Sequence, residues 1–114
     1  MMPLFAVTAA RDAVAANPDR PATAILYDSN DARLVVFRVA PGQFVPPHRS
    51  TSTVSLLVLA GTGQLSGEDG GEPLTRDVKA GDIVIYDPKE LHGMTALDEE
   101  LLLLATSTPR PGAR

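Results

Sequence analysis

The chain has no cysteine and no tryptophan. The first absence excludes disulfides, thiolate zinc sites and a thiol nucleophile, and leaves the redox compartment open. The second, with aromatic residues at only 4%, leaves few rings on which a sugar or a base would stack. No run of lysine or arginine occurs; the ten basic residues are scattered and the formal net charge is −4. Nucleic-acid binding draws on clustered cations that displace counterions from phosphates, so no nucleic-acid partner is expected. The longest unbroken aliphatic run, Leu101 to Ala105, is far too short to span a bilayer, and no membrane partner is expected. The leading stretch lacks a basic segment and meets Arg11 and Asp12 early. It makes a poor secretory signal, and a cytoplasmic protein is expected.

What is present fits one globular domain. Apolar residues make up 44% and charged residues 21% of 114 residues, which is enough apolar surface for a core and too short a chain for two domains. The interior must be aliphatic.

Residues 8 to 16 are alanine-rich, with Thr8 as a candidate N-cap and Asn17-Pro18 as a stop, which predicts a short helix. Beyond Pro21 the texture turns to strand. Ala24 to Tyr27, the turn formers Asp28 to Asp31, and Arg33 to Val39 read as strand, turn, strand. Pro41-Gly42 breaks the second strand. Thr53 to Leu59 is a further strand, closed by Gly61-Thr62-Gly63. Gly67 to Pro73 has the composition of a hairpin loop. Ile83 to Tyr86 and Leu101 to Ala105 complete the set. Residues 1–22 thus form an N-terminal segment with the short helix, 23–107 a single barrel, and 108–114 a flexible tail. Many short strands at close spacing favour an antiparallel sandwich or barrel.

Two histidines exist, His48 and His92, each several residues past a turn glycine. Around them the chain resembles the cupin family over residues 33 to 107. Gly42, five residues, His48, one residue, Ser50, three residues, Val54, six residues and Gly61 keep every spacing of the family's first motif. Gly81 to His92 keeps the glycine-to-histidine distance of the second; its proline comes one place late, at Pro88, and Lys89 replaces its last glycine. The resemblance implies an all-β, double-stranded β-helix (jelly-roll) barrel with one short N-terminal helix, and a homodimer. It also implies a metal site of three histidines and one glutamate. Here His48 and His92 match two ligands, while Ser50 and Val54 stand at the other two positions. A divalent transition metal (Zn, Fe, Ni or Mn) on His48 and His92 would need water or substrate to complete its shell. No cofactor is therefore expected.

The expected pocket comprises His48, Ser50, Val54, His92 and Met94. Two imidazoles beside Ser50 suit a small polar or anionic ligand, because neutral imidazole both donates and accepts hydrogen bonds. One reading is a binding or sensing protein. The other is an enzyme, a metal-assisted oxygenase or an isomerase or epimerase, using the histidines as ligands or as general base. Solvated loop histidines, and Met94 as core filler, are the plain alternatives. Arg33 and Arg38 have opposite strand parity, so at most one would face the barrel interior, where it would be an anion anchor; surface positions are expected for both. Asp98 to Glu100 reads as a solvated loop.

Overall fold

A computed structural model describes residues 2–112. Helix α1 spans Val7–Asp12 and is shorter than the sequence predicts. Its N-cap is Ala6, with no side-chain cap bond, so Thr8 lies inside the helix. The chain leaves the helix early because Val14 turns into an apolar cluster with Ala10, Val36 and Leu102. The guanidinium of Arg38 donates to the Val14 carbonyl at 3.1 Å. Burial here outweighs the helix propensity of the alanines.

Nine strands follow: β1 (Ala22–Asp28), β2 (Arg33–Val39), β3 (Phe44–Arg49), β4 (Thr53–Ala60), β5 (Thr62–Asp69), β6 (Glu72–Lys79), β7 (Ile83–Tyr86), β8 (Leu91–Ala96) and β9 (Leu101–Thr108). They form two antiparallel sheets, ordered β1-β2-β9-β4-β7 and β3-β8-β5-β6. This is the double-stranded β-helix barrel expected. The aliphatic core lies between the sheets, with Leu56, Leu65, Leu101 and Leu103 almost wholly buried. Each such side chain stabilises the fold by about 1.5–3 kcal/mol relative to exposure. A second cluster packs α1 onto the outer face of the five-stranded sheet.

Two loop assignments change. Of Gly61-Thr62-Gly63 only Gly61 turns, and Thr62 already begins β5. Gly61 has φ +85, and a Cβ there would lie 1.9 Å from the Glu100 carbonyl oxygen. Within Gly67 to Pro73 only Gly70-Gly71 turns; Glu68 pairs with Pro73 and Asp69 with Glu72. The polar composition belongs to a hairpin with one face in water, as an antiparallel sheet allows.

The last strand of the barrel runs one residue past its expected end. Thr108 pairs with Thr53 as the end of β9. The Ser52 hydroxyl, almost wholly buried, donates to the Pro109 carbonyl at 2.7 Å, as a buried hydroxyl must find a partner. Arg110 N donates to the Asn30 carbonyl at 3.3 Å, and the Arg110 guanidinium lies 3.1 Å from Asp28. Residues 113 and 114 of the expected tail lie outside the described residues. Among the described residues no helix is long and apolar enough to cross a membrane.

Candidate functional site

Strand β3 carries Pro46 and Pro47 in a row. It tolerates them because it is an edge strand, where a missing N–H costs no ladder bond. The prolines coincide with a shift of register: Val45 pairs with Met94, yet His48 pairs with His92. Three steps along β3 thus oppose two along β8, which is a β-bulge. Simple alternation would put Val45 and His48 on opposite faces. The bulge turns both inward, Val45 against the core and His48 to the barrel mouth. Strand β8 runs close beneath it. A Cβ on Gly93 would meet Ser66 Oγ at 2.7 Å and the Val45 carbonyl at 3.0 Å.

The two imidazoles meet edge to face, with centroids 4.1 Å apart and planes at 61°. Each is oriented by its own strand. His48 Nδ1 donates to the Pro46 carbonyl at 3.2 Å, and His92 Nδ1 donates to the Glu90 carbonyl at 3.3 Å. A carbonyl only accepts, so Nδ1 carries the proton and each neutral ring keeps its Nε2 lone pair. His48 is exposed, whereas His92 is only 5% exposed. Burial, and then the neighbouring His48, push the His92 imidazole below its ordinary value. Tyr86 backs His92 from the other sheet, with ring centroids 5.0 Å apart. Its hydroxyl donates to the Ser66 carbonyl at 2.9 Å, and burial with the charge of Glu90 pushes it up to about 12. Gly67 leaves room for this ring; a Cβ there would lie 3.2 Å from it.

Facing the histidines, one row of the five-stranded sheet reads Arg33, Ser107, Val54, Tyr86 by its pairings. Beneath it lies the row Val35, Ala105, Leu56, Val84. Of these, Arg33, Ser107, Val54, Val35, Ala105 and Leu56 line, together with the histidines, an open cavity of about 540 Å³, within the range of small-ligand sites; Tyr86 and Val84 line the neighbouring cleft. Of the five residues predicted to share a pocket, the structure brings all five to it. His48 and Ser50 lie at its rim, His92 and Val54 in its walls, and Met94, 2% exposed, in its floor. Ser50 is partly occupied: its hydroxyl accepts from Ser52 N at 3.1 Å, and its carbonyl accepts from Lys89 N at 2.6 Å.

Arg33 differs from expectation. It is not a plain surface residue, for it lines the cavity beside Ser107. Its Nε and Nη2 each donate to Asp28 at 3.3 Å. Arg38 is three-quarters buried at its side chain and bonds Glu100 at 2.9 Å. Arg11 also lies 3.5 Å from Glu100, so that carboxylate is an anchor for α1 and not a free loop residue. Arg49 reaches the rim, held by Glu68 and by the Lys89 carbonyl at 2.8 Å; the pair holds the Glu68 carboxyl below the usual carboxylate range. Parity analysis separated Arg33 from Arg38 without saying which faced inward. Tyr86 left no separate signal, because its partner lies on the other sheet.

The residues do not fit a resident metal ion. Zinc–nitrogen bonds of about 2.0–2.1 Å at a tetrahedral angle would set two imidazole centroids about 5 Å apart. Here they touch at 4.1 Å. Ser50 and Val54 supply neither a nitrogen nor a carboxylate oxygen. No group of three or more His, Cys, Asp or Glu able to hold a metal occurs among the described residues.

The chain can now be set beside known proteins. The model of the cupin domain matches residues 35–107. No curated protein matches the chain. Among solved structures, an uncharacterized conserved protein with a double-stranded β-helix domain from Klebsiella pneumoniae superposes with a TM-score of 0.83. It is 23% identical and the match covers 100% of this chain and 95% of that one. An RmlC-like cupin protein from Desulfovibrio desulfuricans gives 0.72 at 23% identity, over 82% of this chain and 86% of that one. The DMSP lyase DddQ from Ruegeria pomeroyi gives 0.70 at 23% identity, over 79% of this chain but 47% of that one. At these identities the structures speak for the fold alone. The domain match covers more than half of the sequence and contains both histidine motifs, and the barrel beneath it has the family's architecture, so this chain belongs to the cupin family.

Proposed function

We propose that this chain is a small-molecule binding or sensing cupin, with its pocket centred on His48 and His92 and a polar or anionic ligand. The observation that carries the reading is the pair of touching imidazoles opening onto a cavity of about 540 Å³ with an apolar floor. Such a site is built like a ligand site: mostly apolar, with a few convergent polar groups. The ligand is held without a resident metal, because the donor set is short by two.

The test is a thermal-shift screen against small carboxylates and sugars, run beside elemental analysis of protein purified without added metal. A ligand of the folded state raises the melting temperature by mass action. The expected result is no stoichiometric metal, and a ligand shift that disappears in the His48→Ala, His92→Ala double variant. Stoichiometric iron, zinc, nickel or manganese that disappears in that variant overturns the metal-free reading. A second reading, an isomerase- or epimerase-type enzyme, draws on the free Nε2 lone pairs, which suit a general base. Turnover of a bound compound that stops in His92→Gln would favour it.

Assembly belongs to the same proposal. Strand β1 is a sheet edge and leaves Ile25 and Tyr27 substantially exposed. Exposed edges are usually covered, and a homodimer would cover this one. A monomer by light scattering at micromolar concentration counts against it.

A further inference from the structure

The cavity's polar groups are unevenly placed and unevenly signed. Arg33, Arg49 and His48 lie at the rim, and no acidic residue lines the cavity among the described residues. The floor is apolar: Val35, Phe37, Leu56, Met94 and Ala105. The permanent positive charges of the rim are its guanidinium groups, whereas each imidazole whose Nδ1 proton is on a carbonyl offers a lone pair. A negative group on the ligand must therefore find its counter-charge in an arginine.

The two arginines are not equivalent. Arg49 is spent on Glu68 and on the Lys89 carbonyl at 2.8 Å. Arg33 shares its only carboxylate: Asp28 faces Arg33 at 3.3 Å and Arg110 at 3.1 Å. Two guanidinium groups against one carboxylate leave one positive charge over. The Arg33 bonds are also long beside the roughly 2.7–2.9 Å of strong charge-assisted bonds. Arg110 Nε lies beside Asp28 without a hydrogen bond to it, so when Arg33 turns to a ligand Asp28 still has a guanidinium to accept from.

From this, and resting on the binding function proposed above, we infer that Arg33 is the anion anchor of the cavity and that the ligand is an aliphatic monocarboxylate. Its carboxylate pairs with the Arg33 fork at the rim, and its chain lies on the aliphatic floor. A dicarboxylate would bury its second charge there without a partner. A neutral chain of equal length would leave the spare charge of Arg33 unused. Apart from the two imidazoles, Phe37 is the only aromatic side chain lining the cavity among the described residues, which suits an aliphatic body better than a stacked ring.

The experiment uses the full chain and three probes: octanoate, octan-1-ol and glutarate. Calorimetry and thermal shift are run on the wild type, on Arg33→Gln, and on Arg49→Gln as a rim control. Circular dichroism checks that each variant is folded, and Arg33→Lys serves if Arg33→Gln is not. Octanoate should bind most tightly. Arg33→Gln should weaken octanoate by about 10- to 100-fold, the loss of a charged hydrogen bond, and leave octan-1-ol unchanged. Arg33→Lys, keeping the charge and losing the fork, should fall between. Arg49→Gln should change octanoate by less than about threefold. Equal binding of octanoate and octan-1-ol, tighter binding of glutarate, or an unaffected Arg33→Gln variant overturns the inference. So does failure of all three probes. In that case a sugar or other polar compound whose binding depends on His48 and His92 still upholds the binding function, whereas silence across the wider screen removes both.

Discussion

Restoring the two departed positions, Ser50→His with Val54→Glu, should convert the cavity into a metal site. Both positions already line the same cavity as His48 and His92. Without metal the double variant should be less stable. Val54 is 4% exposed. Exchanging that buried side chain for a carboxylate forfeits apolar burial and desolvates a polar group, together about 3 kcal/mol. For a chain of this length that is a fall of about 12 °C in melting temperature. Metal should reverse most of it. At a free concentration one hundred times the dissociation constant, a ligand of the folded state returns about 2.7 kcal/mol. The assay is differential scanning fluorimetry across Zn²⁺ and Ni²⁺ titrations, with wild type and both single variants alongside. The double variant should climb to within a few degrees of wild type, while wild type moves little. The imidazoles must part by about 1 Å to share an ion, and the exposed rim position of His48 permits it. A folded double variant that ignores both metals would refute the convergence of positions 50 and 54 with the histidines. Equal stabilisation of wild type would refute the claim that two imidazoles are too few.

Lys89 sits at φ +70, a left-handed conformation that costs a side chain about 1–2 kcal/mol. Lys89→Gly should raise the unfolding free energy by about 0.5–1 kcal/mol once the added freedom of the unfolded glycine is deducted, which urea titration reads as a higher midpoint; a lowered midpoint would contradict the strain. Gly61→Ala should be severe, above about 3 kcal/mol, because backbone and not a flexible side chain blocks the new methyl. A loss under about 1 kcal/mol by thermal melting would show that the β4–β5 turn relaxes freely. His92 is held below its ordinary 6.5, so the unfolded chain binds more protons than the folded one. Stability should then rise with pH through the window below about 6.5 and level off above it. Subtracting the urea midpoints of His92→Gln from wild type isolates this contribution, and a difference that is flat across the window would refute it.

Much of the barrel was legible because turns and aliphatic runs are local signals. Gly42, Gly61 and Gly81 stand where the chain must turn, each with positive φ, and the aliphatic runs before and after them became β2, β4, β7 and β9. Strands β5 and β6 were not legible. Glu68, Asp69, Glu72, Arg76 and Asp77 give that hairpin the composition of a loop, yet it is a ladder with one face in water. The two histidines were legible from glycine-to-histidine spacing. How His48 comes to face inward was not, since the answer lies in an extra residue at Pro46-Pro47 that alternation does not count. Lys89 shows the reverse case. Its place in the family motif belongs to glycine, and the backbone kept the glycine conformation after the residue changed. Arg33 was expected at the surface and Tyr86 escaped notice because their roles depend on which face of a strand is concave, and one strand alone does not say.

The opposition of His48 and His92 across one ladder has a kinetic consequence. The rings come from strands far apart in the sequence, and they meet only when β3 and β8 pair in this register. A slip of one position would send a ring to the outer face. Such non-local pairing closes late in folding, after the hairpins between the two strands. A form of the chain in which β3 and β8 are unpaired therefore lacks the apposed rings. Affinity arrives with the last closure of the barrel, so ligand binding doubles as a count of the molecules that have finished folding.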